Sequence, residues 1–594
     1  MATTGARFAE EILARAGAQP EAVAARDAEG VLTYGELRAR ARALAEGLAE
    51  RGVGPGDVVA VGLDRGRAAI VAWLGILEAE AAYMPVDLSY PASRVAAMLG
   101  AVAPAAVVTS RTGDAALEHT GARHVLEADG TSAGATGARP GATTRVGEDI
   151  AYIIFTSGST GVPKGVAVSA GQLGNLVRWQ RNRPLGDEPV RTAQFSALSF
   201  DVSAQEVFST LAAGGSLEVV STEARRDPER LLEELTERKV ARLFLPFAAL
   251  QALATVAGDA PRLPPLRYVA TAGEQLSVTP ALRALFARLP GCRLENHYGP
   301  TETHLVTAFA LGDEPGDWPE RPPIGRPVEG LVAGILDGAL RPVPAGERGT
   351  LHVSSPALTG GYVGRADLTA ERYLPNVLSG GGERMYNTGD VVWEDADGDL
   401  HFAGRDDDQV KIRGFRVEPA EVESVLLSLP SVTAAAAVVE PGAVSKTLVG
   451  HVRLAENASS EWEDELRSGL AARLPEWSIP ARLVRWDGPM PQLANGKVDR
   501  LRLATHGEAE PAAALREPDG ADLVGQLAAL WSDVLGVPIG ADDDFFEVGG
   551  HSLAAVELVG RIRADLGIRV KVRQIFEHPT VADLARRLEE AAAP

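Results

Sequence analysis

Residues 151–165 read AYIIFTSGSTGVPKG. The first five form a short apolar run with strand character that leads straight into a loop of small residues. In that loop Thr156, Ser157, Ser159 and Thr160 offer hydroxyl donors, Gly158, Gly161 and Gly165 allow close backbone approach, and Lys164 adds one ammonium. Open α/β folds bind ligands at the C-terminal ends of their strands, and these are the parts needed to wrap a polyphosphate in N–H and O–H groups. The loop is not a Walker A loop, because Lys164 is followed by Gly165 and Val166 rather than by Ser or Thr. Read alone, it is equally well explained as a flexible turn.

The flanking sequence supplies the fold class. Upstream, Leu37, Leu44 and Leu48 keep a helical period as far as Gly52, residues 58–63 read as a strand, 68–77 as an apolar helix and 105–109 as a strand. Such alternation predicts an α/β architecture with much parallel sheet. Residues 127–149, rich in Gly, Ala and Thr, read as a loop. Apolar runs and helices alternate to about residue 335, and a strand-and-turn-rich stretch follows as far as Phe402. Residues 404–505 read as a compact unit with a helix at 419–429 and a strand at 434–439. Residues 505–520, THGEAEPAAALREPDG, carry Pro511 and Pro518 without apolar periodicity and read as a linker. Beyond it every stripe is helical: Leu523, Leu527, Leu530 and Val534; Leu553, Val556, Val559 and Ile562; and Val581, Leu584 and Leu588 behind Thr580 as N-cap. The expected division is 1–403, 404–505, a linker at 506–520, and a small all-α bundle at 521–594.

Composition narrows the function. The 594 residues are 45% hydrophobic and 23% charged, ordinary for a soluble globular protein, and are enough for several folded units. A formal charge of -22 argues against a nucleic-acid partner, which demands a concentrated basic surface. One cysteine, Cys292, excludes an internal disulfide and a multi-cysteine metal site. Residues 1–19 mix Arg7, Glu10, Glu11 and Arg15 without an apolar core, and no run reaches the ~18 apolar residues of a membrane span, so a cytoplasmic location without membrane partner is expected. Of 58 basic Lys and Arg residues only six are Lys, at 164, 239, 411, 446, 497 and 571. In a chain that writes its positive charge as Arg, a Lys in a glycine-rich loop points to a need for a compact ammonium.

Nine motifs occur in order: LTYGEL from Leu32, LEAEAAYMPVD from Leu77, YIIFTSGSTGVPKG from Tyr152, FDVS from Phe200, NHYGPTE from Asn296, YNTGD from Tyr386, GRDDDQVKIRGFRVE from Gly404, LPEWSIP from Leu474 and NGKVDR from Asn495. This series, spanning residues 1–505, resembles the adenylation domains of nonribosomal peptide synthetases. A second signature, DDDFFEVGGHSL from Asp542, resembles the attachment site of peptidyl carrier proteins. The resemblance implies an adenylate-forming (ANL-type) α/β large domain, a small mobile α+β subdomain and an all-α four-helix carrier bundle.

Carried over position by position, the resemblance gives Thr156, Ser157, Gly158, Ser159, Thr160, Gly161 and Lys164 to the phosphates of ATP, and Glu302 to Mg²⁺. It gives Asn296, Tyr298 and Phe402 to the adenine region, Asp390 to the ribose hydroxyls and Arg405 to the nucleotide's vicinity. Asp407 becomes the hinge, Lys497 the adenylation lysine, and Ser552 the attachment point of 4'-phosphopantetheine. The chemistry suits those residue types: a carboxylate can attack the α-phosphorus of a polyanion only when cations and donors neutralise the phosphate oxygens. By themselves the NGK turn is a solvated surface charge and Ser552 a helix N-cap. Family departures are Asn387, Thr350 and Phe402, none of which removes a required charge.

The same resemblance lines an amino-acid pocket with Asp201, Val202, Gln205, Phe244, Ala270, Ala272, His297, Leu305 and Val306, closed by Lys497. Asp201 would take the α-ammonium, which could not be buried unpaired. No other acid or base besides His297 stands in this set, so a small or apolar side chain is expected, with L-proline or a close cyclic imino acid the best match. The implied partners are a phosphopantetheinyl transferase and a downstream enzyme acting in trans on the loaded carrier, with a small activator protein as a further candidate. Two rivals stand beside this reading: an acyl- or aryl-CoA ligase, and a degenerate scaffold for the carrier.

Overall fold

The computed structural model describes residues 4–110, 124–126, 132–134, 145–158, 163–258, 260–378, 382–407, 409–412, 415–440, 447–455, 458–486, 488–491, 498–506, 522–535, 539–545, 548, 550 and 552–592. Its N-terminal part is built on two large, mainly parallel sheets. One has eight strands, in which Ala82–Pro85, Val58–Gly62 and Ala106–Thr109 lie parallel beside Ile150–Thr156, which pairs antiparallel with Lys164–Ser169. Strands such as Val58–Gly62 and Ala106–Thr109 are buried along their whole length, as a parallel sheet covered on both faces requires. The apolar helix Arg67–Glu78 packs over this sheet, and its Trp73 stacks on Tyr83 at 4.6 Å. The other sheet has nine strands, with Arg191–Gln194, Arg242–Pro246, Tyr268–Ala272 and Arg293–Tyr298 parallel at its centre.

A five-stranded sheet follows, built around the long strand Arg384–Glu394 and ending in Leu400–Arg405. Next come the two-stranded hairpin Val410–Ile412 and Phe415–Val417, the helix Pro419–Leu427, and the three-stranded sheet Val432–Glu440, Thr447–Leu454, Arg482–Arg485. The last core holds the helices Leu523–Leu535, Ser552–Leu566, Val572–Glu577 and Val581–Ala592 around Leu527, Trp531, Phe545, Leu558 and Ile562. Thr580 caps the final helix, its Oγ1 accepting from the Asp583 N–H at 3.2 Å. The short helix Val572–Glu577 carries no stripe long enough to read from sequence. Within the expected loop at 127–149 a three-residue strand, Ser132–Gly134, is formed. The helix Arg500–His506 runs into the first residues read as linker, and residues 507–521 lie outside those described.

Two contacts place the C-terminal parts. Arg94 and Glu421, both buried, form an ion pair at 2.7 Å between the large part and the helix Pro419–Leu427, while Ser93 Oγ donates to the Ala472 carbonyl at 2.8 Å. The helical bundle sits on the helix Phe247–Ala257, whose Ala252 and Val256 join its core. Among the described residues no helix is long and apolar enough to cross a membrane.

Candidate active site

The strands of both large sheets end around one cavity. Thr156 closes the strand Ile150–Thr156, Phe195 and Ser196 follow Arg191–Gln194, Pro246 ends Arg242–Pro246, Ala272 ends Tyr268–Ala272, and His297 lies near the end of Arg293–Tyr298; all of these line it. This is the ligand position expected from the C-terminal ends of parallel strands. Of the anticipated pocket residues, Asp201, Val202, Gln205, Phe244, Ala270, Ala272 and His297 line the cavity. Leu305 and Val306 instead pack into the hydrophobic cores behind it, being 7% and 0% exposed. Asp201 opens the helix Asp201–Ala212, and its Oδ1 accepts from the Val202 N–H at 2.8 Å, so its carboxylate is oriented by the first turn.

Thr156, Ser157, Asp390 and Arg405 line the same cavity. The Thr156 hydroxyl is buried without a hydrogen-bond partner among the described residues, which fits an oxygen-rich ligand held against it. Ser157 Oγ donates to the Arg416 carbonyl at 2.9 Å, and Gly158 follows it, buried. Ser159, Thr160, Gly161 and Lys497 lie outside the described residues. Asp390 leaves the turn at Gly389, whose φ of +71° favours glycine. Its carboxylate accepts from the Tyr298 hydroxyl and from Arg405, while Arg405 also grips Asp407 at 2.6 and 2.8 Å. Burial would raise the Asp407 carboxyl, but donation from Arg405 holds it below the usual range. Asn296 is buried and donates to the Pro323 carbonyl at 2.8 Å, and Phe402 packs into the cluster beside Tyr298; neither they nor Tyr298 line the cavity. Among the departures, Asn387 Oδ1 accepts from the Gly389 N–H at 2.9 Å and Thr350 Oγ1 donates to Asp406 at 3.3 Å, so both support this turn.

Glu302 lies behind the loop, completely buried. The backbone before it turns tightly: a Cβ on Gly299 would come within 1.8 Å of the His304 carbonyl. Its carboxylate accepts from the Tyr362 hydroxyl at 2.7 Å and from Arg416 at 3.0 and 3.1 Å. Burial alone would raise Glu302, yet the Arg416 and Lys164 charges bring it down to about 2. Lys164 starts the strand Lys164–Ser169, 3.8 Å from Glu418 and 5.2 Å above the Tyr362 ring. Burial, with Arg416 nearby, lowers its ammonium to about 8. Among the described residues no three acidic, His or Cys side chains gather as a metal site.

Several groups in the cavity had no role assigned from the sequence. Gln409, Lys411, Phe415 and Arg416 arrive on the hairpin Val410–Ile412/Phe415–Val417, and Trp477 stacks on Phe415 at 4.2 Å. Tyr90 meets Trp477 edge-on at 5.5 Å and Phe200 meets Phe415 at 5.2 Å, so aromatic rings from both parts seal this side. Lys411 is partly buried 5.9 Å from the Tyr298 ring, and burial lowers its ammonium. Lysine scarcity was the signal that could have singled it out. Cys292 packs against the large core away from the cavity, and burial pushes its thiol up to about 12.

Residues 12–363 match the family described as AMP-binding enzyme. The chain belongs to that family. Residues 421–497 match its C-terminal domain and residues 525–588 a phosphopantetheine attachment site. Tyrocidine synthase 2 of Brevibacillus parabrevis is 38% identical over 96% of this chain and 16% of its own length. Phosphinothricin tripeptide synthetase PhsB of Streptomyces viridochromogenes is 38% identical over 98% of this chain and 49% of its own length. The chain therefore spans less than half of these curated relatives. The structure of holo-PA1221, an NRPS protein containing adenylation and PCP domains bound to a vinylsulfonamide inhibitor, superposes with a TM-score of 0.78 at 28% identity, covering 99% of this chain and 96% of that one. The AMP-binding enzyme is thus an adenylate-forming ligase of ANL-type fold joined to a carrier, with ATP, Mg²⁺ and 4'-phosphopantetheine as its cofactors.

For this AMP-binding enzyme, Lys164 gives a pH prediction. If Lys164 meets the phosphates as the resemblance implies, ATP would stabilise its ammonium form, so binding above pH 8 would draw in a proton and affinity would fall as pH rises through about 8. The KM for ATP is expected to climb by up to about tenfold per pH unit there. Lys164→Gln should raise KM throughout and flatten this slope; an unchanged slope in the variant sinks the assignment.

Proposed function

We propose that the chain activates an amino acid with MgATP as its aminoacyl adenylate and transfers the acyl group to an arm on Ser552 of its own carrier unit. Residues 1–403 and 404–505 are read as the two parts of the activating unit, 506–520 as linker and 521–594 as carrier, in the cytoplasm. One observation carries this reading: a single cavity is lined by Asp201, by Asp390 and by Thr156, whose buried hydroxyl has no hydrogen-bond partner among the described residues. Asp201 offers a charge for the α-ammonium, which orients the substrate carboxylate toward the phosphate loop. Lys164, Thr156 and Ser157, with Ser159, Thr160 and Gly161, are assigned to the phosphate oxygens, and Asp390 to two vicinal hydroxyls.

Glu302 supports an order of events. Mg²⁺ supplies positive charge against the phosphates, and Glu302 is its assigned ligand; here Arg416 neutralises that carboxylate instead. The two cations are alternatives at one buried anion, so adenylation needs the hairpin carrying Arg416 withdrawn and Lys497 brought in. With Arg416 and Lys411 seated, the cavity is arranged for the second half-reaction. The arm on Ser552 supplies the thiol nucleophile, and Lys411 and Arg405 are placed to hold the departing AMP. Asp407, tied to Arg405 and to Arg372 at 3.3 Å, is the assigned hinge between the two states.

Within that reading L-proline or a close cyclic imino acid is the substrate. Val202, Phe244, Ala270 and Ala272 supply small and apolar walls, and among the described residues the carboxylates lining the cavity are Asp201 and Asp390, the latter already paired with Arg405. A transferase that installs the arm and a downstream enzyme in trans complete the partners, with a small activator protein as a further one. Pyrophosphate exchange across a panel of amino and imino acids tests the proposal. Exchange with L-proline at least tenfold above alanine and leucine is expected; none with any member removes the activation reading, and a clear preference for another class removes proline.

A further inference from the structure

Behind the wall that His297 contributes lies a charge network that activation and transfer do not use. Glu295 precedes His297 by two residues on the strand Arg293–Tyr298, so their side chains leave the same face. Glu295 is 0% exposed. Its Oε2 accepts from the Tyr268 hydroxyl at 2.8 Å and lies 3.1 Å from His297 Nε2, and its Oε1 accepts from Arg183. Burial alone would raise this carboxyl, but His297 and Arg183 bring it down to about 2. An ionised carboxylate only accepts, so Nε2 carries the proton toward it and is fixed as the donor of that contact. Trp179 meets the His297 ring edge-on at 5.4 Å, and the Arg183 guanidinium covers Trp179 at 5.4 Å.

An imidazole wall that is free to flip or to change tautomer presents donor and acceptor interchangeably to whatever lies against it. We infer that Glu295 is a positioning residue of the amino-acid pocket, acting through His297: it holds the ring in one orientation and tautomer. Because Arg183 already balances its charge, Glu295 adds no free anion to the cavity, and the pocket selects an uncharged side chain. This rests on the activation reading above.

The test is pyrophosphate exchange by the full chain with L-proline, L-pipecolate and 4-hydroxyproline as probes. Glu295→Gln keeps the shape but lets an amide N–H face Nε2, which admits the other tautomer. It is expected to raise KM for the activated probe about tenfold, with kcat and the KM for ATP within about twofold, the size of one lost pocket contact. In a His297→Ala background the same change should alter KM by less than about twofold, as a double-mutant cycle through the ring requires. Tyr268→Phe, which removes one donor and leaves the ion pair, should give the same split at about two- to fivefold and serves if Glu295→Gln does not fold. Equal KM effects in both backgrounds, parallel loss of kcat and ATP affinity, or no change in either variant overturns the inference. A wild-type chain that activates none of these probes removes the imino-acid substrate, and the same variants are then compared on whichever amino acid of the wider panel is exchanged; no exchange with any member overturns the activation reading, a distinct result.

Discussion

Ser552→Ala is expected to abolish acylation of the chain while leaving amino-acid-dependent pyrophosphate exchange unchanged. Incubated with a phosphopantetheinyl transferase and coenzyme A, the wild type should gain one pantetheinyl group by intact mass, and then the acyl group when amino acid and ATP are added. The variant should gain neither, because it lacks the hydroxyl assigned to carry the arm, that of the first residue of the helix Ser552–Leu566. Exchange depends on the cavity between the two sheets, whereas the helix Ser552–Leu566 contributes Leu558 and Ile562 to a separate core that touches the large part through Ala252 and Val256. Loss of exchange together with loading would mean that the carrier is part of the activating site, contrary to the proposal. Release of free acyl-CoA instead of a loaded chain would favour the CoA ligase.

The second large effect separates two lysines. Lys497→Ala should lower pyrophosphate exchange by about 10²- to 10³-fold, the usual cost of removing one group that stabilises developing charge. It should largely spare loading from supplied aminoacyl adenylate. Lys411→Ala should do the reverse, because this ammonium lines the cavity only by virtue of the hairpin that also brings Arg416 onto Glu302. Single-turnover loading and exchange, measured on both variants, provide the comparison. Equal losses of both activities in either variant would remove the separate assignments and, with them, the alternation of hairpin and Mg²⁺ at Glu302.

Much of this architecture follows from local pattern. The run AYIIF becomes a strand because its residues suit a sheet covered on both faces, while Lys164 and Gly165, read as the end of the following loop, open the next strand instead. The last helices follow from their stripes, and Thr580 caps the final one as its position predicts. Asp201 and His297 reach the cavity because strand and helix ends point there in this class of fold. Leu305 and Val306 fell to the core instead, since apolar side chains are indistinguishable by type when they line a pocket or fill the space behind it.

What the amino-acid sequence determined by itself is the set of chemical parts and their order: the hydroxyl and glycine loop, the scarce lysines, and the motifs whose resemblance assigns Asp201 to an ammonium and Ser552 to a carrier arm. These are legible because each needs a particular residue type at a short spacing. Only the tertiary structure decided which charges meet. Glu302 with Arg416, Arg94 with Glu421, and Glu295 with Arg183 are separated by 114, 327 and 112 residues. No periodicity connects such pairs; each carboxylate tolerates burial only because the folded chain delivers a cation to it.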